Sequence, residues 1–154
     1  MNLQRRRRGF SLIELLIVIA IILIIITIAL PKFSSAQRYA KETSALGAIR
    51  TIHTMQVQYY SQYGKYATAL TELGPPASGA EGPAAAGLID STLASGEKGG
   101  YKFTLSANSG GYIINAAPVA FGVSGSRTFY SDQSMVVRQN FGQEPATANS
   151  PEMK

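Results

Sequence analysis

Residues 10–30 read FSLIELLIVIAIILIIITIAL, an apolar run broken by a single carboxylate, Glu14, and this run constrains the chain more than anything after it. As a helix rising about 1.5 Å per residue it is about 30 Å long, the thickness of a bilayer's hydrocarbon core. The run can span a membrane. Arg5, Arg6, Arg7 and Arg8 stand just before it, and a cationic block in that place stays on the cytoplasmic side while the apolar part enters the bilayer. An ordinary secretory leader has a shorter apolar core followed by a small-residue cleavage site. Here the small residue, Gly9, lies before the hydrophobe.

Gly9-Phe10-Ser11-Leu12-Ile13-Glu14-Leu15, with arginines ahead of it and Pro31 behind the apolar run, resembles the N-terminus of type IV pilin and type II secretion pseudopilin precursors. The likeness is close over roughly the first 31 residues and a matter of layout beyond them. It implies that a prepilin peptidase removes residues 1–9 by cutting between Gly9 and Phe10, and that Phe10 is then N-methylated. It further implies that Glu14, fifth in the shortened chain, sets the register between subunits, and that Pro31 kinks the helix. The partners implied are other pilins or pseudopilins in a homo- or hetero-polymer, an assembly platform in the inner membrane, and its ATPase. The implied location is single-pass in the inner membrane, with the C-terminal domain outside, and then a filament. Glu14 also favours an ordinary core subunit over the tip pseudopilin that lacks this residue.

Glu14 is unusual on physical grounds alone. A carboxylate in an apolar helix costs about 3 kcal/mol near the bilayer centre and less near its edge. Either it sits hydrated at the headgroup level or it finds a cation. Cleavage after Gly9 would create an ammonium at Phe10, and a neighbouring subunit would bring another. Such a pair in a water-poor place is costly to break from one side, so it specifies register more than it adds stability.

The leader also changes how the charge reads. The chain carries 14 Lys+Arg against 9 Asp+Glu, a formal +5. Without Arg5–Arg8 the balance is ten against nine, or +1, and net charge no longer argues for a nucleic-acid partner. Arg127 and Arg138 are expected as solvated surface groups. Cysteine is absent, so no disulfide can hold the exported part and its stability has to come from packing.

Past Pro31 the pattern becomes amphipathic. Phe33, Ala36, Ala40, Ala45, Ile49, Ile52, Gln56, Tyr59 and Tyr63 recur every three to five residues, with Lys41, Glu42, Arg50 and Gln58 mostly on other faces. Gly64 is the predicted C-cap. A helix over residues 10–63 would be about 80 Å long, bent but not ended by Pro31. The tyrosines at 59, 60, 63 and 66 are expected to pack the helix onto a sheet. His53 is expected as a packing or surface residue, since no second ligand stands at metal spacing.

Residues 64–100 form a connector rich in Gly, Pro, Ala and Ser from Gly74 onward, with one short helix predicted around residues 84–93. Strand patterns follow at 101–105, 112–116, 128–131 and 135–138, the first two joined by a turn at Asn108-Ser109-Gly110-Gly111. Residues 101–141 thus predict an antiparallel sheet of about four strands, covered by the amphipathic helix of residues 31–63. Residues 142–154 are expected as a flexible tail. The fold class predicted is α+β, a long N-terminal helix on a small sheet.

One histidine, no cysteine, and Asp90 and Asp132 as the two aspartates assemble no triad, carboxylate pair or metal cluster. No catalytic residue, cofactor or metal is expected, calcium at Asp132 included. The function expected is a structural filament subunit. Two other readings stay open: a signal-anchored binding domain that never polymerises, and a DNA-binding minor pilin with a basic patch from Lys98, Lys102, Arg127 and Arg138.

Overall fold

The computed structural model describes residues 9–153. Helix α1 (Leu12–Tyr63) is followed by two single-turn helices, α2 (Leu70–Leu73) and α3 (Ser91–Ala94). Five strands come after them: β1 (Glu97–Lys98), β2 (Tyr101–Asn108), β3 (Gly111–Pro118), β4 (Thr128–Asp132) and β5 (Val137–Asn140). The chain divides into two compact units at Ala36/Gln37.

In the first unit every described residue is exposed, and the exposed side chains from Phe10 to Phe33 are nearly all apolar. α1 is long and apolar enough to cross a membrane. Pro31 lies inside it. Hydroxyls of Thr27, Ser34 and Ser35 donate back to carbonyls of Ile24, Leu30 and Pro31 at 2.7–3.2 Å, so these polar side chains are satisfied within their own helix.

The second unit is a helix on a sheet. Its part of α1 buries Glu42, Ala45, Ala48, Ile49, Ile52, His53, Gln56 and Tyr59, a stripe at three- and four-residue spacing. The sheet is a meander in the order β1-β2-β3-β4-β5, all pairs antiparallel. Along β2, Tyr101, Phe103 and Leu105 are buried while Lys102, Thr104 and Ser106 are exposed, the period of two that a one-sided sheet requires. The core joins these to Tyr112, Ile114 and Phe129 from the sheet and to Leu70, Leu73, Ile89 and Leu93 from the connector. Gly64 ends α1 as predicted, with φ at 68° and its N–H donating to the Tyr60 carbonyl at 2.8 Å.

Several details differ from the sequence expectation, among them a second connector helix, α2, and longer β2 and β3 strands. The sheet has five strands, because residues 97–98 pair with residues 101–102 around two glycines of positive φ. The last strand starts at Val137, two residues late. Asp132 accepts from the Ser134 N–H and hydroxyl, the Met135 N–H bonds the Asp132 carbonyl, and Met135 takes φ 63°, so Met135 and Val136 belong to the turn. The connector helix is shorter and later than residues 84–93. Gly82 and Ala85 close a tight turn on each other, and the helix begins only after Asp90, whose carboxylate caps the Leu93 N–H at 3.0 Å. Of residues 142–153, expected as a flexible tail, residues 151–153 run along the outer edge of β5. Gln139 N–H donates to the Pro151 carbonyl, Met153 N–H donates to the Val137 carbonyl, and Ala146 is buried.

Candidate functional site

Gly9, Phe10 and Ser11 precede the helix and carry no regular structure. Phe10 is 80% exposed and nothing lies within 4 Å of the place a Gly9 β-carbon would occupy. Among the described residues nothing crowds the Gly9–Phe10 peptide bond. Arg5–Arg8 lie outside the described residues.

Helix α1 starts where it does because of Ser11 and Glu14. The Leu15 N–H bonds the Ser11 carbonyl at 3.2 Å, closing the first turn. The Glu14 carboxylate reaches back to accept the Ser11 N–H at 3.3 Å. That is one half of a capping box, in which an acid at the third helical position satisfies an orphan N–H at the helix start. An acid here also faces the positive end of the helix dipole. Glu14 thus has a partner inside its own chain, a contact that the Ser-x-x-Glu spacing signals.

The second unit answers the question of a basic patch. Lys98 pairs with Asp90 at 2.6 Å, Arg127 with Glu42 at 2.6 Å and Arg138 with Glu152 at 3.0 Å. Lys102 stands on the outer face of β2. Each of the other three cations has its own carboxylate partner.

Arg127 also corrects the expectation of a solvated surface group. Its side chain is only 14% exposed. It donates from Nε and Nη2 to Glu42 and from Nη1 to Gln139, and it lies over the rings of Phe129 and Phe141. Glu42 correspondingly belongs to the buried stripe of α1, not its polar face, because Ser126 supplies two further donors. Burial pushes the Glu42 carboxyl up, but the hydrogen bonds from Ser126 and Arg127 outweigh it and hold it below the ordinary range. A helix–loop pair separated by 85 residues has no signature in local periodicity.

Tyr59, Tyr63 and Tyr66 take the packing role expected of the four tyrosines, while Tyr60 stays half exposed. Tyr59 is fully buried and donates to the Pro83 carbonyl at 2.6 Å. Tyr66 sits against Tyr112, with ring centroids 4.9 Å apart. Burial raises the Tyr112 hydroxyl to about 12, so it stays protonated at any ordinary pH. His53 is buried too, bonded to Tyr112 and Ser131 at 2.7 Å each. A groove of about 550 Å³ runs between the outward side of β2–β4 and residues 145–147, with Lys102 and Tyr130 as its titratable groups. No general base stands in it beside a nucleophile. Among the described residues no three His, Cys, Asp or Glu side chains come together in a metal-binding group.

A long helix, apolar and exposed in its first part and laid on an antiparallel meander in its second unit, defines an α+β pilin-like protein. The family described as the prokaryotic N-terminal methylation motif matches residues 4–30. The type IV major pilin protein PilA of Myxococcus xanthus (strain DK1622) is 39% identical over 69 residues, covering 45% of this chain and 31% of the relative. The match thus spans about a third of the relative's length. No solved structure is significantly similar to the chain. Both matches are likenesses to type IV pilins, and the family motif covers residues 4–30 alone.

Proposed function

We propose that the chain is a structural subunit of a type IV filament, cut between Gly9 and Phe10, N-methylated at Phe10, and polymerised through α1. The observation that carries this reading is the exposed apolar tract with one carboxylate at its head. A protein alone in water would hide such a surface. Lipid covers it in the precursor and other copies of the helix cover it in the filament. Exchanging one for the other gains little hydrophobic energy, because lipid tails are as apolar as the helix. Extraction therefore needs work from the assembly ATPase through its membrane platform, and a device that fixes register.

Glu14 supplies the register. In the precursor its charge is eased by the Ser11 N–H. After cleavage the new ammonium at Phe10 of an adjacent subunit is a stronger partner, since it brings a full opposite charge, which a neutral N–H lacks, into a water-poor place. The topology that follows is a single-pass anchor in the inner membrane with residues 37–154 outside it. Because the relative is a major pilin, a pilus is favoured over a secretion pseudopilus. The paired states of Lys98, Arg127 and Arg138 weigh against a DNA-binding minor pilin.

The test is Glu14→Ala in cells that assemble filaments. The variant should be cleaved normally and accumulate in the membrane without entering filaments. Incorporation at the level of the parent chain would overturn the register role.

A further inference from the structure

The polar contact at the centre of the helix–sheet seam has a direction that the hydrogen-bond inventory fixes. His53 is 4% exposed, with Nδ1 2.7 Å from the Tyr112 hydroxyl on β3 and Nε2 2.7 Å from the Ser131 hydroxyl on β4. Ser131 has one hydrogen, and it donates it to the Val136 carbonyl at 2.9 Å. Toward His53 it can only accept, so the ring proton sits on Nε2 and bare Nδ1 accepts from Tyr112. With that tautomer both ring nitrogens and both hydroxyls are satisfied, and among the described residues no buried side-chain polar atom is left without a partner.

We propose that His53 is a proton-sensitive latch, fastening α1 to β3 and β4 while its ring is neutral and loosening the Tyr112 side of the seam when the ring is protonated. A second ring proton would sit on Nδ1 and point at the Tyr112 oxygen. Tyr112 would then have to accept, and its own hydrogen has no other acceptor among the described residues. A buried hydroxyl hydrogen without a partner carries its full desolvation cost. Tyr66, whose ring packs at a tilt against Tyr112, would share the disturbance, which therefore reaches the loop after α1. The Ser131 side keeps its bond in both states.

Charges around the ring are few. β4 brings Asp132, whose negative charge favours the protonated ring. That carboxylate is occupied by the Ser134 N–H and hydroxyl, and the positive charge of Arg138 on β5 helps hold it ionised. β3 brings only Tyr112, and Tyr66 reaches the site through it. On α1 the adjacent buried positions are Ile49, Ile52 and Gln56, all uncharged. Burial wins over Asp132, and the ring's proton affinity falls below the ordinary value of 6.5. The sign follows: with the folded value depressed, the stabilisation is whole above about 6.5 and drains away as pH falls toward the folded value.

The sequence holds a single histidine, so the experiment reads one group. The full chain in detergent micelles is titrated by NMR on the His53 ring, and its urea unfolding is measured from pH 7.5 to 5.5. The ring should titrate below 6.5, with Tyr112 and Tyr66 ring signals shifting at the same midpoint. The unfolding constant should rise by up to about tenfold per pH unit below the unfolded-state pKa, a slope that His53→Gln removes. A ring titrating at or above 6.5, or a His53→Gln variant keeping the parent's slope, overturns the latch. Should that variant fail to fold, the ring titration of the parent chain decides by itself.

Discussion

Glu42→Ala is the sharpest perturbation of the second unit. The Glu42 carboxylate accepts from four donors: the Ser126 N–H and hydroxyl, and Nε and Nη2 of Arg127. Both partners are largely shielded, with side chains 5% and 14% exposed. Removing the carboxylate leaves a guanidinium in a place with little water, held only by Gln139 and two aromatic faces. Breaking a buried pair from one side costs about 3–5 kcal/mol, a large share of the roughly 5–15 kcal/mol that holds a typical domain. At a urea dependence of about 2 kcal/mol per molar, the midpoint should fall by about 2 M. The chain has no tryptophan, so the assay is near-UV dichroism of the buried tyrosines in detergent-solubilised protein. The paired replacement Glu42→Leu with Arg127→Met removes both charges, and should recover all but about 1 kcal/mol, the residue left by the Ser126 donors. A loss under about 1 kcal/mol for Glu42→Ala, or a double variant no more stable than the single, would refute the assignment of a buried, mutually dependent pair. The parent should also weaken in acid, because a depressed carboxyl gives stability above its unfolded value that is lost as pH falls through the folded one.

Two further substitutions probe the same unit. Gln56→Ala removes an amide that bonds both the N–H and the carbonyl of buried Ala67 at 2.9 and 2.8 Å. It should cost about 3 kcal/mol by thermal unfolding, since two buried backbone groups lose their partners; a change within error would mean that water replaces the amide. Gly125→Ala puts a β-carbon into the Tyr101 ring and hydroxyl, which must then give up its bond to the Arg127 carbonyl. A loss of about 1–3 kcal/mol is expected, and wild-type stability would show that the ring moves freely.

The long helix and the hairpin of β2 and β3 were legible because each is written in local period: three to four from Ala45 to Tyr59, two from Tyr101 to Leu105, with a Ser-Gly turn at 109–110. The same reading misplaced Met135 and Val136, apolar residues that a turn recruited once Asp132 capped it. Glu42 and Arg127 were read as surface because each is charged and each alone gives no sign of the other. Only the folded chain brings them together. At the head of α1 the reverse holds: Ser11 and Glu14 are three residues apart, and their cap was present in the spacing. That the apolar tract needs a cover is legible from its composition, since a chain alone in water has no use for such an exposed surface.

The most direct measurement of the central claim is the intact mass and N-terminal sequence of the chain recovered from membranes and from sheared filaments. Both should begin at Phe10, carry one added methyl group on its amine, and lack Arg5–Arg8. A membrane form and a filament form that both begin at Met1, or a cut placed beyond the apolar tract, would contradict it.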